Sequence, residues 1–258
     1  MPEIKRSITV ELRDGLALVG LNRPEQLNAL DVQTVAEFHQ ALDLIEDEPR
    51  VLVIHSTTAG IFASGAHLRE LLHRRSDDAL RRINIRLFDR IAQHRWPSIA
   101  VIDGPAFGAG CELAIACDFR VCSPRAVFAQ PEARLGVLAG AGGNWRLRDL
   151  IGLERARRML LLGERFTAAD ALDAGLATKV SDTAEPLEAA IELAATIASA
   201  SWRSLELTKL ALAQSSMNTT AFDSVAQALL FEGEDKTERI SAFLHRRREP
   251  TTEGPTPS

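Results

Sequence analysis

Two glutamates in glycine-rich surroundings, Glu112 and Glu132, are the side chains of this sequence best suited to acid–base chemistry. They lie 20 positions apart, on either side of two short apolar segments, and this spacing allows them to converge. Two carboxyl groups around one water molecule act as general base and general acid in turn, provided that burial or mutual repulsion separates their pKa values. The alternative is that neither residue is catalytic: Glu112 only interacts favourably with the positive end of a helix dipole, and Glu132 is a solvated loop residue.

Two turns built of small residues, 60–68 and 102–112, each end a predicted strand and begin a predicted helix. The first N–H groups of a helix have no partner within it, so such turns leave donors free for an anion or a carbonyl oxygen. We expect these donors to be the N–H groups of Ala66 and Ala109, which would polarise a carbonyl and stabilise its enolate if they converge. The alternative is that the glycines only allow tight packing.

The first half of the chain alternates predicted strands and helices, as in an α/β fold. Apolar residues at 8–19 alternate around a turn at Asp14 and Gly15, which predicts an antiparallel strand pair. Continuous apolar runs at 51–54 and 99–102 are typical of strands covered on both faces. The predicted helices of this half are one capped by Asp31 and ending near Ile45, and one amphipathic helix that carries Leu80, Ile83, Leu87 and Ile91.

The second half reads as mostly helical. Its expected elements are short strands at 119–122 and 126–129, helices at 147–162 and 168–174 with Thr167 as a cap, a short strand at 176–180, and three more helical segments to about Arg247. The last ten residues contain three prolines and no apolar periodicity, which predicts a disordered tail.

Composition excludes several classes of protein. The chain has 258 residues, a formal net charge of −5 and no basic stripe, so nucleic-acid binding is not expected. No stretch is long and apolar enough to span a membrane, no leader segment is recognisable, and the predicted location is the cytoplasm. The three cysteines fall in an apolar segment and are expected to be reduced, and the six histidines lack metal-ligand spacing, so we predict no metal. The turn at 60–68 has phosphate-loop glycine spacing but lacks the Lys and the Ser or Thr of that motif.

Five stretches in a fixed order carry a more specific signal than any single motif. They are NRPEQLNALD (22–31), FASGAHLREL (62–71), IDGPAFGAGCELAIACD (102–118), FAQPEARLGVLAGAGGNWRL (128–147) and EDKTERISAFLHRRREP (234–250). Together they resemble the enoyl-CoA hydratase/isomerase family, whose members are also called crotonases. The resemblance covers nearly the whole chain.

The resemblance implies a role for each motif residue. Ala66 and Ala109 would supply the two oxyanion-hole N–H groups for a thioester carbonyl, and Glu112 and Glu132 would be the two catalytic glutamates of the hydratases. The main chain of Gly140 would help to hold the attacking water. The remaining expected substrate contacts are Ser64, His67 and Leu68, with His67 standing where the family usually has Asp.

The resemblance also implies a fold and an activity. The expected fold is an α/β spiral of repeated ββα units with roughly perpendicular sheets, with a spiral core at 1–195, a C-terminal helical trimerisation region at 196–248 and a tail at 249–258. The expected activity is reversible addition of water to a 2-enoyl-CoA, giving a 3-hydroxyacyl-CoA, with no cofactor besides the coenzyme A of the substrate. The expected assembly is a homotrimer or a dimer of trimers. Two alternatives stay open: a double-bond isomerase and a non-catalytic acyl-CoA-binding protein.

Overall fold

The computed structural model describes residues 6–183 and 185–213, and beyond these only residues 227, 229, 234 and 238–240. The chain divides into two compact units, Met1–Ser199 and Ala200–Ser258. The expected tail at 249–258 and most of the expected helical region at 196–248 lie outside the described residues. The extents of that region and of the tail therefore stay predictions.

Strands of the described residues all belong to the first unit. They are β1 (Ile8–Arg13), β2 (Leu16–Leu21), β3 (Val51–Ser56), β4 (Ser98–Ile102), β5 (Pro105–Phe107), β6 (Phe119–Cys122), β7 (Val127–Ala129), β8 (Phe166–Thr167) and β9 (Lys179–Val180). They form one sheet in the order β1-β2-β3-β4-β6-β9 and a second sheet in the order β5-β7-β8.

Helices follow most of the strands. The α-helices of the first unit are α1 (Val32–Ile45), α2 (Leu68–His73), α3 (Ser76–Leu80), α4 (Ile83–Ala92), α5 (Ala109–Ala116), α6 (Gly143–Leu161), α7 (Ala168–Asp173) and α8 (Pro186–Ala198). Short 3-10 helices lie at Pro24–Gln26 and Glu132–Leu135. In the second unit, the described residues include α9 (Trp202–Ala213).

The larger sheet confirms the predicted strand pattern. β1 and β2 are antiparallel around a turn in which Gly15 has a φ of 66°, and β2, β3, β4, β6 and β9 are parallel neighbours. Every residue of β4 and the first four of β3 are buried. Parallel strands covered on both faces need apolar side chains on both, which is why these strands have continuous apolar runs.

The smaller sheet corrects the prediction of one uninterrupted turn at 102–112. Within that segment, β5 pairs in parallel with β7, and Phe107 lies opposite Ala129. Three residues are too few to show a period of two in the sequence, so the strand is defined by its partner instead. β5 leads directly into α5 and fixes where that helix begins.

Two predicted helices are broken. The expected single helix carrying Leu80 to Ile91 is two helices, because Arg82 between α3 and α4 has a left-handed φ of 54°. Leu80 is therefore 77% exposed, whereas Leu87 and Ile91 are buried. Gly152 has a φ of 77° and interrupts α6, which the sequence predicted as continuous.

Predicted caps are confirmed at two helices. The Asp31 carboxylate accepts the Thr34 N–H at 2.7 Å at the start of α1. Thr167 and Asp170 form a reciprocal capping box at the start of α7. Such caps satisfy donors that the helix itself leaves unpaired, so they locate helix starts from sequence alone.

The described residues lack two kinds of feature. No described helix is both long and apolar enough to cross a membrane. Within the same described ranges, no three or more His, Cys, Asp or Glu side chains are grouped so that they could hold a metal ion.

Candidate active site

The two glycine-containing turns of the first unit lie against each other. The Phe107 N–H donates to the Ala63 carbonyl at 3.0 Å, and the Ala63 N–H donates to the Pro105 carbonyl at 3.1 Å. Gly110 allows this approach, because a Cβ atom there would overlap the Ala63 carbonyl oxygen. The turn before α2 and the first turn of α5 are therefore held side by side.

The Ala66 N–H points away from the neighbouring segment at Leu30, because the two segments pair as strands do. Leu30 donates to the Gly65 carbonyl at 2.8 Å and accepts the His67 N–H at 3.1 Å. In extended backbone, successive peptide groups face opposite sides, so the Ala66 N–H faces away from Leu30. Within the described residues this N–H donates to no acceptor.

The Ala109 N–H is unpaired for a different reason. Ala109 is the first residue of α5, and the first N–H groups of a helix have no acceptor in it. None is provided by the described residues around it. A Cβ atom on Gly65 would lie 3.7 Å from the Ala109 nitrogen, which places the Ala66 turn beside this second free donor.

Glu112 lies in the first turn of α5 and is 3% exposed. Its Oε1 atom accepts the Ala141 N–H at 2.7 Å and the Gly143 N–H at 2.9 Å. Burial raises the pKa of this carboxyl, and the two N–H donors and the charge of Arg146 oppose that rise. Oε1 is thus anchored to the backbone, while Oε2 accepts no hydrogen bond from the described residues and can hold a water molecule.

Glu132 begins the short 3-10 helix after β7 and is half-buried. Its Oε1 lies beside Gly108, the residue that precedes α5. A Cβ at Gly108 would come within 2.6 Å of it, and Gly108 also has a positive φ of 51°. Burial raises the pKa of Glu132 to about 7, and the charge of Glu112 adds to the rise. A carboxyl group with this pKa can both give and take a proton near neutral pH.

Gln130 is a site residue that sequence reasoning passed over. It is 1% exposed, and with its amide nitrogen turned toward Glu132 it donates to Oε2 at 2.9 Å and to Oε1 at 3.1 Å. These bonds favour the ionised carboxylate and restrict its rotation. The only sequence signal was its position two residues before Glu132.

Arg146 was also missed. This α6 side chain is 6% exposed, and it donates to the Ala141 carbonyl at 3.1 Å and to Asp89 of α4 at 2.8 Å. It thereby holds the backbone segment whose N–H groups anchor Glu112. Arg146 is one of five arginines in α6, so its residue type gave no signal, and its partner Asp89 is 57 positions away in the chain.

Seven of the eight predicted site residues line one cavity of about 600 Å³ in the first unit. They are Ser64, Ala66, Leu68, Ala109, Glu112, Glu132 and Gly140. His67 is the exception: it precedes α2, its backbone pairs with Leu30, and its side chain is not part of the cavity lining. The cavity therefore combines two carboxyl groups in unequal environments with two free backbone donors.

Comparison with known proteins identifies the family of this chain. The sequence model described as enoyl-CoA hydratase/isomerase matches residues 11–253. The chain therefore belongs to the enoyl-CoA hydratase/isomerase family, and its fold is the crotonase fold.

Individual relatives cover nearly the whole chain. A mitochondrial enoyl-CoA hydratase of Pongo abelii is 36% identical over 238 residues, which are 90% of this chain and 82% of that protein. A short-chain-enoyl-CoA hydratase of Clostridium acetobutylicum is 34% identical over 251 residues, covering 94% and 96% of the two chains. The crystal structure of an enoyl-CoA hydratase from Bacillus anthracis superposes with a TM-score of 0.88 at 29% identity, covering 96% of this chain and 100% of the other.

Proposed function

We propose that this protein is an enoyl-CoA hydratase, which adds water reversibly across the double bond of a 2-enoyl-CoA to give a 3-hydroxyacyl-CoA. The observation that carries the proposal is the pair of carboxyl groups, Glu112 and Glu132, in one cavity beside two unpaired backbone N–H groups. Relatives named enoyl-CoA hydratase support the same reaction type.

The free donors suit the thioester carbonyl. The N–H groups of Ala66 and Ala109 would bind its oxygen and stabilise the negative charge that develops when the β-carbon is attacked. Each such donor is worth on the order of 3 kcal/mol in the transition state. The reaction requires no cofactor besides the coenzyme A that belongs to the substrate.

The carboxyl groups suit the two ends of the double bond. Ionised Glu112 would accept a proton from the water that attacks C3, while Glu132 in its protonated form would give a proton to C2. Water thus supplies the hydroxyl group to C3, and Glu132 supplies the proton to C2. The proton that Glu112 gains passes to solvent while Glu132 is reprotonated, and in the reverse reaction the same proton transfers run backwards. The free Gly140 N–H at the cavity wall would help to hold that water.

The direct test is to incubate the protein with short 2-enoyl-CoA thioesters and follow loss of the absorbance of the conjugated thioester. Glu112→Gln and Glu132→Gln should each lower kcat by orders of magnitude and leave acyl-CoA binding nearly unchanged, because Gln keeps the shape but not the proton transfer. Glu192→Gln, an exposed α8 substitution, is the matched control. Full activity in either site variant would contradict the assigned roles.

The same assay separates the two open alternatives. A double-bond isomerase would convert a 3-enoyl-CoA to its 2-enoyl isomer without forming a hydroxyl product. A binding protein would retain acyl-CoA and turn over neither substrate. The homotrimer or dimer of trimers and the cytoplasmic location stay predictions.

A further inference from the structure

The cavity carries charged and polar side chains at the segment spanning α2 to α4, and hydration does not require them. The wall contains Arg74, Arg75, Arg82 and Asn84 together with apolar residues such as Leu71 and Ile83. A purely hydrocarbon acyl chain would make no use of polar atoms in this wall, and leaving the buried Nη2 atom of Arg74 without a partner is unfavourable.

Arg74 has an unsatisfied donor. Its Nη2 atom is buried and has no hydrogen-bond partner among the described residues, and the carboxylate oxygen of Glu70 is 3.9 Å away. That distance is too long for a hydrogen bond, and the same Glu70 oxygen already accepts the Val32 N–H at 3.2 Å. The guanidinium is therefore available to an anion that enters the cavity.

Asn84 adds a second unsatisfied group to the same wall. Its Oδ1 atom is buried, and no described residue gives it a hydrogen bond. Rotation of the amide by half a turn presents the nitrogen instead, so this position can donate to an oxygen as well as accept. Two unsatisfied polar groups in one cavity wall indicate a polar ligand atom between or beside them.

Acidic side chains nearby do not neutralise this wall. The Asp78 carboxylate accepts the main-chain N–H of Arg75 at 2.9 Å and pairs with the guanidinium of Arg81 at 3.6 Å. One carboxylate oxygen of Asp89 lies 2.8 Å from the Arg146 guanidinium, and the other lies 3.4 Å from the Arg82 guanidinium. Among the described residues, neither the Arg74 nor the Arg75 guanidinium is hydrogen-bonded to a carboxylate, and Arg74 is the more buried of these two cavity-lining cations.

The position of α4 relates this wall to the acyl end of the substrate. α4 packs on α5, and its Asp89 holds Arg146, whose charge acts on Glu112. In the proposed function, on which this step rests, Glu112 acts at C3. Because Glu112 and Asn84 line the same cavity, the acyl carbons beyond C3 would share that cavity with the wall that carries Arg74 and Asn84.

From this arrangement we propose that the preferred substrate is a 2-enoyl-CoA whose acyl chain ends in a carboxylate, bound by the Arg74 guanidinium with the Asn84 amide. A carboxylate is the planar anion that pairs with guanidinium through two parallel hydrogen bonds. A methyl-terminated chain of the same length would leave both groups unsatisfied and is the poorer substrate.

The test compares pairs of 2-enoyl-CoA thioesters of equal length, one ending in carboxylate and one in methyl, over a series of lengths. At the matching length, kcat/KM should favour the carboxylated member by about tenfold or more, the size of a charge-assisted hydrogen bond. In Arg74→Gln this ratio should fall toward one, and Arg74→Lys should restore part of it. Arg81→Gln, an exposed arginine outside the lining, is the matched control and should leave the ratio unchanged.

Binding of saturated acyl-CoA pairs, measured by calorimetry, provides a readout without turnover. If no enoyl-CoA is hydrated but Arg74→Gln still weakens the carboxylated ligand selectively, the proposed reaction is wrong and the carboxylate site stands. Equal weakening of both ligands would mean that Arg74 binds the coenzyme A phosphates, which overturns the proposal. An unchanged ratio in Arg74→Gln, with the fold verified by thermal melting, overturns it as well.

Discussion

Replacing Glu132 by Gln is expected to stabilise the protein at alkaline pH although it removes the proposed proton donor. Burial raises the pKa of Glu132 from an ordinary value of 4.5 to about 7, so the folded state binds this proton more tightly than the unfolded state does. The ionised carboxylate therefore destabilises the fold. This destabilisation is absent below pH 4.5, grows as the pH rises, and is complete above about pH 7.

The magnitude follows from the two pKa values. Their difference corresponds to about 3 kcal/mol at ~1.4 kcal/mol for each pH unit. Glu132 is only half-buried, so solvent screening reduces the expected gain to about 1–2 kcal/mol. For a chain of this size that gain raises Tm by about 3–6 °C.

The assay is thermal unfolding of the wild type and Glu132→Gln at pH 8 and pH 4.5. The variant should melt higher at pH 8, and the difference should largely disappear at pH 4.5. Glu192→Gln, an exposed change of the same kind, should show no such pH-dependent gain. A Glu132→Gln variant that melts lower at pH 8, or by the same amount higher at both pH values, would refute the view that burial raises this pKa.

Three further predictions concern the surroundings of the site. Gly110→Ala should lower the free energy of unfolding by about 1–3 kcal/mol and abolish most activity, because its Cβ would overlap the Ala63 carbonyl. Gly136→Ala has open space around its Cβ and should lower the free energy of unfolding by only about 1 kcal/mol, because of its positive φ. Equal melting temperatures for the two variants would contradict this. Arg146→Gln removes a charge that lowers the pKa of Glu112, so the acidic limb of the pH profile of kcat/KM should move to higher pH. Arg146→Lys should move this limb less. An unmoved limb would show that the charge of Arg146 does not affect the titration of Glu112. Cys111, Cys117 and Cys122 are buried thiols, and burial raises the pKa of Cys122 to about 12, so iodoacetamide should modify the three only after unfolding. Rapid labelling of the native protein would show that the core opens.

Patterns with a short period were readable in the sequence. The apolar runs of β3 and β4 and the caps at Asp31 and Thr167 predict elements that the structure confirms. They were predictable because the forces behind them act between residues a few positions apart. The break at Arg82 was not predictable, since arginine has no preference for the left-handed backbone that it adopts there.

Site chemistry was readable only in part. The motifs indicate Glu112 and Glu132 as a pair, and both line one cavity. His67 has a similarly suggestive position but lies outside the lining, because its backbone pairs with Leu30. Gln130 and Arg146 escaped notice because their importance comes from partners, and the carboxylate that Arg146 contacts is 57 positions away.

The sequence by itself determined the family, the alternation of strands and helices, and which residue types stand at the two turns. The tertiary structure alone decided that the Ala66 and Ala109 N–H groups are free, that Glu112 is anchored through one oxygen, and that the pKa of Glu132 rises to about 7. The physical reason is that burial and electrostatics depend on through-space neighbours. Those neighbours come from β5, α4 and α6 and have no periodic signature in the chain.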